Sequence, residues 1–333
     1  MRTGIVSGIL AALIVLGLIL GNGVENGPNP FITLGVMNGA VFGLVALGLV
    51  LVYKGTRVFN FAQGEFGTLA AYFLFYSITS HGLPYGVGII IAIAGTVLIG
   101  LAFERAIVRP LLTAPRVTLL VATIAVALLF IGFEILVFLA EPRSLDSIIP
   151  AVDAAGIPNG IEIFNLSIEP QRLVALGVLG GLGAVLAYFF SRTDLGLAVL
   201  ATSQDSFATR VVGIGVERMS RFIWGTAALL GAIAGILYVP LTGALTPAVM
   251  TTNILIPAFT GAVLGGMTSL PGAFVGGIVI GIVQSVGLWA GGRFFVGDTA
   301  LQEVVPGVEQ VSIILVLLVV LLARPQGLLG KEA

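Results

Sequence analysis

Few residues in this chain have side chains that could carry chemistry. Among 333 residues there is one histidine, His81, and no cysteine. No disulfide, thiol nucleophile or thiolate metal site is therefore available. His81 sits in the turn Ser80-His81-Gly82-Leu83-Pro84, where solvation is its simplest role. No phosphate-cradling GxxxxGK[ST] loop occurs. The only Gly-Lys pair, Gly330-Lys331, has Pro325 where the first glycine is needed and is followed by Glu332. What remains is a set of polar residues inside long apolar runs: Asn38, Glu134, Asn253, Thr260 and Gln284, with the cluster Asn60-Phe61-Ala62-Gln63-Gly64-Glu65. Such groups cost free energy in lipid and mark solute paths or interhelical bonds. For Glu134, contact with solute and a hydrogen bond to a neighbouring helix are equally compatible with the sequence. Asn38, Asn60, Gln63, Glu65, Glu134, Thr260 and Gln284 are the candidate pathway residues.

The elements that must hold them are membrane helices. Hydrophobic residues make up 58% of the chain and charged residues 9%, with a mean hydropathy of +1.13. A soluble domain carries about 25% charged residues. The apolar runs are long and continuous, which excludes the short alternating segments of a membrane β-barrel. A net charge of −1 gives no sign of nucleic-acid binding. Spans are expected at 4–21, 32–53, 66–80, 85–104, 117–139, 172–191, 222–241, 256–268, 272–290 and 308–323. The class is an all-α polytopic membrane protein with 8–10 transmembrane helices, the lower number applying if 256–268 and 272–290 form a re-entrant hairpin. The first run resembles a signal peptide but lacks a clean cleavage site, so a retained helix is favoured.

Basic residues orient this list. With the N-terminus inside, twelve of the fifteen Lys and Arg fall on the inner side, and only Arg143, Arg172 and Arg293 fall outside. Both termini are then cytoplasmic. Residues 140–171 form an outer loop, and 192–221 form an inner loop of mixed charge. That inner loop carries Leu200, Phe207 and Val211 at near-helical spacing, with Gly213 and Gly215 as a turn. An apolar face on an inner loop suits docking to a partner, the alternative being a helix lying on the membrane surface. Glycine pairs four apart, such as Gly177/Gly181, Gly231/Gly235, Gly261/Gly265, Gly272/Gly276 and Gly277/Gly281, predict close helix packing. The short span at 66–80 and the proline-interrupted stretch 242–271 are expected to be either broken helices lining a cavity or simple interfacial caps.

Met37-Asn38-Gly39, Ala46-Leu47-Gly48, Val52-Tyr53, Asn60-Phe61-Ala62-Gln63-Gly64-Glu65, Glu104-Arg105-Ala106 and Arg109-Pro110-Leu111 follow one another in order. The series continues through Gly196-Leu197-Ala198, Val212 to Val216, Gly231 to Gly235, Ala262 to Met267, Pro271-Gly272-Ala273 and Pro325 to Gly330, covering about residues 33–330. Together they carry a resemblance to the permease subunits of branched-chain amino acid ABC importers of the Liv type. It implies one permease domain over 1–333, with 4–21 as an added N-terminal helix, 140–171 as an extracytoplasmic loop and 192–221 as the cytoplasmic coupling loop. The coupling residues would be Leu200, Ser203, Gln204, Asp205, Phe207, Arg210 and Gly213. Thr202-Ser203-Gln204-Asp205 is less charged than the corresponding run in relatives.

The implied partners are a second related permease, two cytoplasmic ATPase subunits, an extracytoplasmic solute-binding protein and membrane lipid, in a bacterial inner membrane. The chain itself would be non-catalytic, with no cofactor or metal. The implied solute is a branched-chain amino acid, although similar permeases carry urea, amides or small organic acids. The competing function is a secondary transporter or channel acting alone, which requires ion-coupling carboxylates deep in the helices. Of the carboxylates, only Glu134 comes near that. An intramembrane enzyme would require paired catalytic groups, and none is evident in the sequence.

Overall fold

A computed structural model describes residues 29–112, 114–148, 161–163, 166–168, 170–204, 209, 211, 213–295, 307–324 and 327. The expected first helix, 4–21, lies outside them. The described residues form a bundle of α1 (Asn29–Thr56), α2 (Gln63–Phe75), α3 (Tyr85–Phe103), α4 (Arg116–Phe138), α5 (Pro170–Arg192), α6 (Asp194–Gln204), α7 (Val216–Thr242), α8 (Ile256–Gly265), α9 (Leu270–Phe295) and α10 (Val308–Ala323). A π-helical turn, Tyr76–Ser80, prolongs α2, and another, Thr251–Leu255, opens α8. Among the described residues six helices are long and apolar enough to cross a membrane, and Thr251–Gly265 and Gln310–Ala323 are shorter apolar helices. Each expected span from 32–53 onward corresponds to a helix. Among the described residues, a small antiparallel hairpin, Ile161–Ile163 with Leu166–Ile168 in the 140–171 loop, departs from the helical pattern.

Proline and glycine punctuate the bundle. Pro84 and Pro115 immediately precede α3 and α4, where a missing N–H costs no helical bond. Gly243, at φ +68°, closes α7 in the left-handed conformation that glycine adopts without strain.

Burial separates the helices into two sets. The most apolar stretch of α1 is 89% buried and that of α7 67%, against 22–28% for α3, α4 and α5. The core therefore forms around α1, α7 and the shorter, almost wholly buried α2. The outward side chains of α4, among them Val117, Leu128, Leu129 and Leu136, are apolar and exposed, as befits a lipid-facing surface.

Close backbone contact between helices relies on glycine. A Cβ on Gly39 would stand 2.6 Å from the Cα of Ile278, and one on Gly261 would stand 2.9 Å from the Gly277 nitrogen. Gly235 lies directly against the Gly67 backbone, and Gly265 against Gly272. Four of the five predicted glycine pairs thus serve packing. The pair Gly177/Gly181 does not: a Cβ at either position meets nothing within 4 Å, because both face outward from α5.

Contacts sort the charges into two ends. At the Lys54 end, Lys54 lies over the Phe190 ring at 5.9 Å, Gly55 abuts Ile223, Thr123 meets the chain after α1, and Arg109 pairs with Glu217 at 2.9 Å. At the opposite end Arg143 bridges Leu245, Tyr85 donates to the Asp146 carbonyl, and Arg172 donates to Asn38. The chain from Leu245 to Gly265 therefore runs from the Arg143 end to the α8–α9 turn, where Gly265 meets Gly272.

Candidate functional site

The link between α1 and α2 is irregular and deeply placed. Thr123 Oγ1 accepts the Phe61 N–H at 3.3 Å and lies 3.2 Å from the Phe59 carbonyl, to which it can donate. Thr123 is seven residues along α4 from Arg116, about 10 Å at 1.5 Å per residue. Leu49, which lines a cavity beside this link, stands as far back from Thr56 at the end of α1. Non-helical backbone at such depth is tolerated only when buried in protein or lining a wet cavity.

Local polar bonds hold the link in shape. Asn60 Oδ1 accepts the Ala62 N–H at 3.1 Å, and its amide donates to Gln63 Oε1 at 3.1 Å. Gln63 Nε2 donates to the Ala227 carbonyl of α7 at 2.8 Å. Gly48 makes room for the Gln63 amide, with which a Cβ there would collide. Asn60, Gln63 and Glu65 are all fully buried. Asn60 and Gln63 thus brace the start of α2 with their amides already engaged.

Glu65 and Glu134 meet inside the bundle. The Glu65 carboxyl lies against the Glu134 carboxyl and the hydroxyls of Thr68 and Thr251. Glu134 Oε2 accepts the Ala248 N–H at 3.0 Å, and Thr68 Oγ1 accepts the Met250 N–H at 3.3 Å. Glu134 is fully buried, so it faces protein. Its acceptor role serves the irregular stretch between α7 and α8, where Ala248 has a φ of +61°. Gly64 fits against Thr251, whose backbone would clash with a Cβ there. Glu134 of α4 and Thr68 of α2 thus hold the backbone just before the π-helical turn.

The other expected pathway residues are dispersed. Asn38 accepts from Arg172 at 2.5 Å near the Arg143 end. Thr260 is buried and donates back to the Ile256 carbonyl of its own helix at 2.9 Å. Gln284 is half-buried on α9, away from the Asn60–Glu65 cluster in sequence and in element. Asn253 is exposed on the π-helical turn.

Of the coupling residues, Leu200, Ser203 and Gln204 belong to α6, and Gly213 adopts φ +83° in the turn before α7. Asp205, Phe207 and Arg210 lie outside the described residues. Leu195, Leu197 and Val211 around them are 54%, 54% and 72% exposed. Beside this stretch Arg109 stands between the buried Glu104, at 3.8 Å, and Glu217 in the first turn of α7.

Sequence reasoning did not single out Thr123, Thr68, Thr251 or Ala248. Thr123 could have been found as a hydroxyl within an apolar run. Ala248 could not, because an alanine backbone N–H carries no sequence signal.

A family model described as branched-chain amino acid transport system / permease component matches residues 31–322. The chain is 28% identical to the high-affinity branched-chain amino acid transport system permease protein BraD of Pseudomonas aeruginosa, over 89% of this chain and 94% of that protein. It is 27% identical to LivH of Escherichia coli K12, with the same coverage, and to the probable LivH of Methanocaldococcus jannaschii, over 87% and 88%. A solved structure titled PsaBC from Streptococcus pneumoniae in complex with Fab is similar at TM-score 0.45 and 14% identity, over 94% and 97% of the two chains. The matched region coincides with the helical bundle from α1 to α10, and the chain belongs to the family of branched-chain amino acid transport system permease components.

Proposed function

We propose that this chain is a permease subunit of an ATP-driven importer of branched-chain amino acids in a bacterial inner membrane, with both termini cytoplasmic. The observation that carries the proposal is the family match across the whole described bundle. The chain works with a second related permease, two ATPase subunits and a solute-binding protein, and is itself non-catalytic. ATP binding closes the ATPase pair, and the 192–221 segment passes that movement to α5 and α7, which flank it. The exposed Leu195, Leu197 and Val211 supply apolar area for the contact, and a small apolar cluster dominates the energy of such an interface. The Arg109 ion pair with Glu217 links the start of α7 to the segment after α3, giving the movement a second route into the bundle.

The test is co-purification of an ATPase with this chain, paired with ATP-dependent leucine uptake in vesicles. Phe207→Asp is expected to release the ATPase or uncouple hydrolysis from uptake while the helices still insert. Retention of both at wild-type level would remove the coupling role. Leucine uptake without any ATPase would instead favour a transporter acting alone.

A further inference from the structure

A cavity of about 300 Å³ opens beside the α1–α2 link. Its walls are Leu49 of α1, Phe59 and Phe61 of the link, Leu255 of the π-helical turn, and Ile256 and Phe259 of α8. Two polar residues also reach it, Asn60 and Thr251. Asn60 accepts the Ala62 N–H and donates one amide N–H to Gln63, and its side chain is fully buried. Thr251 packs against Gly64 and Glu65. What the cavity presents is therefore apolar. It lies about 10 Å in from the Lys54 end, by the rise per residue along α1 and α4.

Three features separate this cavity from a packing defect. It is bounded by irregular backbone on one side and a π-helical turn on the other, and such turns gather at functional sites. Of the three non-glycine residues with positive φ among those described, Arg57 precedes the Phe59–Phe61 wall and Ala248 precedes Thr251. Strained backbone is kept where surrounding structure and function require it. Ile256 at the mouth is 54% exposed on the surface of the single chain. The non-helical Phe59–Phe61 backbone that forms one wall does not face lipid, so on that side the cavity borders protein or a wet path.

We propose that this cavity seats the aliphatic side chain of the transported solute during its passage, leaving the charged amino and carboxyl groups in the path outside the mouth. The proposal rests on the importer function above and adds to it the subsite that reads the side chain. A hydrophobic pocket discriminates by size, roughly 10- to 200-fold per methylene gained or lost.

The experiment uses the whole importer in liposomes, with its ATPases and solute-binding protein, and a leucine analogue bearing a diazirine in its side chain. Illumination during turnover is expected to label peptides containing Phe59–Phe61 or Ile256–Phe259, and excess leucine should suppress the label. Ile256→Trp, which fills the mouth from an exposed position, is expected to abolish the label and lower leucine uptake at least about tenfold, with ATPase co-purification unchanged. Uptake with labelling only elsewhere, or undiminished uptake in Ile256→Trp, overturns the subsite and leaves the importer function standing. Labelling of the same peptides by a diazirine fatty acid, without competition by leucine, makes the cavity a lipid pocket and overturns the proposal. Absence of ATP-dependent uptake of leucine, isoleucine and valine overturns both.

Discussion

Replacing Thr123 by valine removes a single hydroxyl while keeping the shape of the side chain. Among the described residues that hydroxyl alone accepts the Phe61 N–H, at 3.3 Å, and it lies 3.2 Å from the Phe59 carbonyl. It also stands 2.8 Å from the Leu120 carbonyl. With one proton to give, its donor bond divides between the two carbonyls, whereas its acceptor bond is undivided. A buried donor left without a partner costs about 1–3 kcal/mol. Taking about 2 kcal/mol for the Phe61 N–H and up to about 1 more for Phe59 gives about 2–3 kcal/mol. The methyl that replaces the hydroxyl returns little, because the solvent around the bundle is lipid rather than water. At about 1.4 kcal/mol per factor of ten, the ratio of folded to opened link falls about 30- to 150-fold.

Because the link walls the cavity, leucine uptake should fall with it. The assay is thermal loss of the monodisperse peak in detergent, run beside uptake in vesicles. Thr123→Val is expected to melt about 5 °C lower, by the scaling of about 2 °C per kcal/mol for chains of this size. Thr123→Ser keeps the hydroxyl and should melt close to the wild type. Equal melting and uptake for the valine and serine variants would refute the claim that this hydroxyl holds the link.

Packing and topology give two further expectations. Gly235→Val drives a branched side chain into the Gly67 backbone of α2, and with no flexible neighbour to yield it should abolish accumulation of folded protein, measured by fluorescence-detected size exclusion. Gly177→Val on α5 meets open space and should accumulate normally. Single cysteines at Ser144 and Ala201, both exposed and in a cysteine-free chain, should respond oppositely to an impermeant thiol reagent on intact cells. Ser144→Cys is expected to label and Ala201→Cys to stay protected, and the reverse pattern would invert the orientation.

The sequence by itself determined that this chain is a helical membrane bundle. It did so because lipid leaves the backbone few choices, and each run of about 20 apolar residues has to close its own hydrogen bonds. It determined most glycine contacts for a similar reason: residues four apart share a helix face whatever that face meets. It could not tell that Gly177 and Gly181 point outward, because facing is set by neighbours. It also marked Asn60, Gln63, Glu65 and Glu134 as costly in lipid, and all four are buried in protein.

Only the tertiary structure decided what these residues do. Asn60 and Gln63 spend their amides on the chain itself, Thr260 spends its hydroxyl on its own helix, and Glu134 accepts from the N–H of an alanine 114 positions away. The partners of Gln63 and Glu134, 164 and 114 positions away, leave no spacing to read. The cavity was still less legible. Its walls come from α1, the α1–α2 link, the π-helical turn and α8, and every apolar side chain in it is one that a lipid-facing helix would carry equally well. Apolarity is the rule throughout a membrane chain, so a pocket built from it becomes visible only once the helices have been placed against one another.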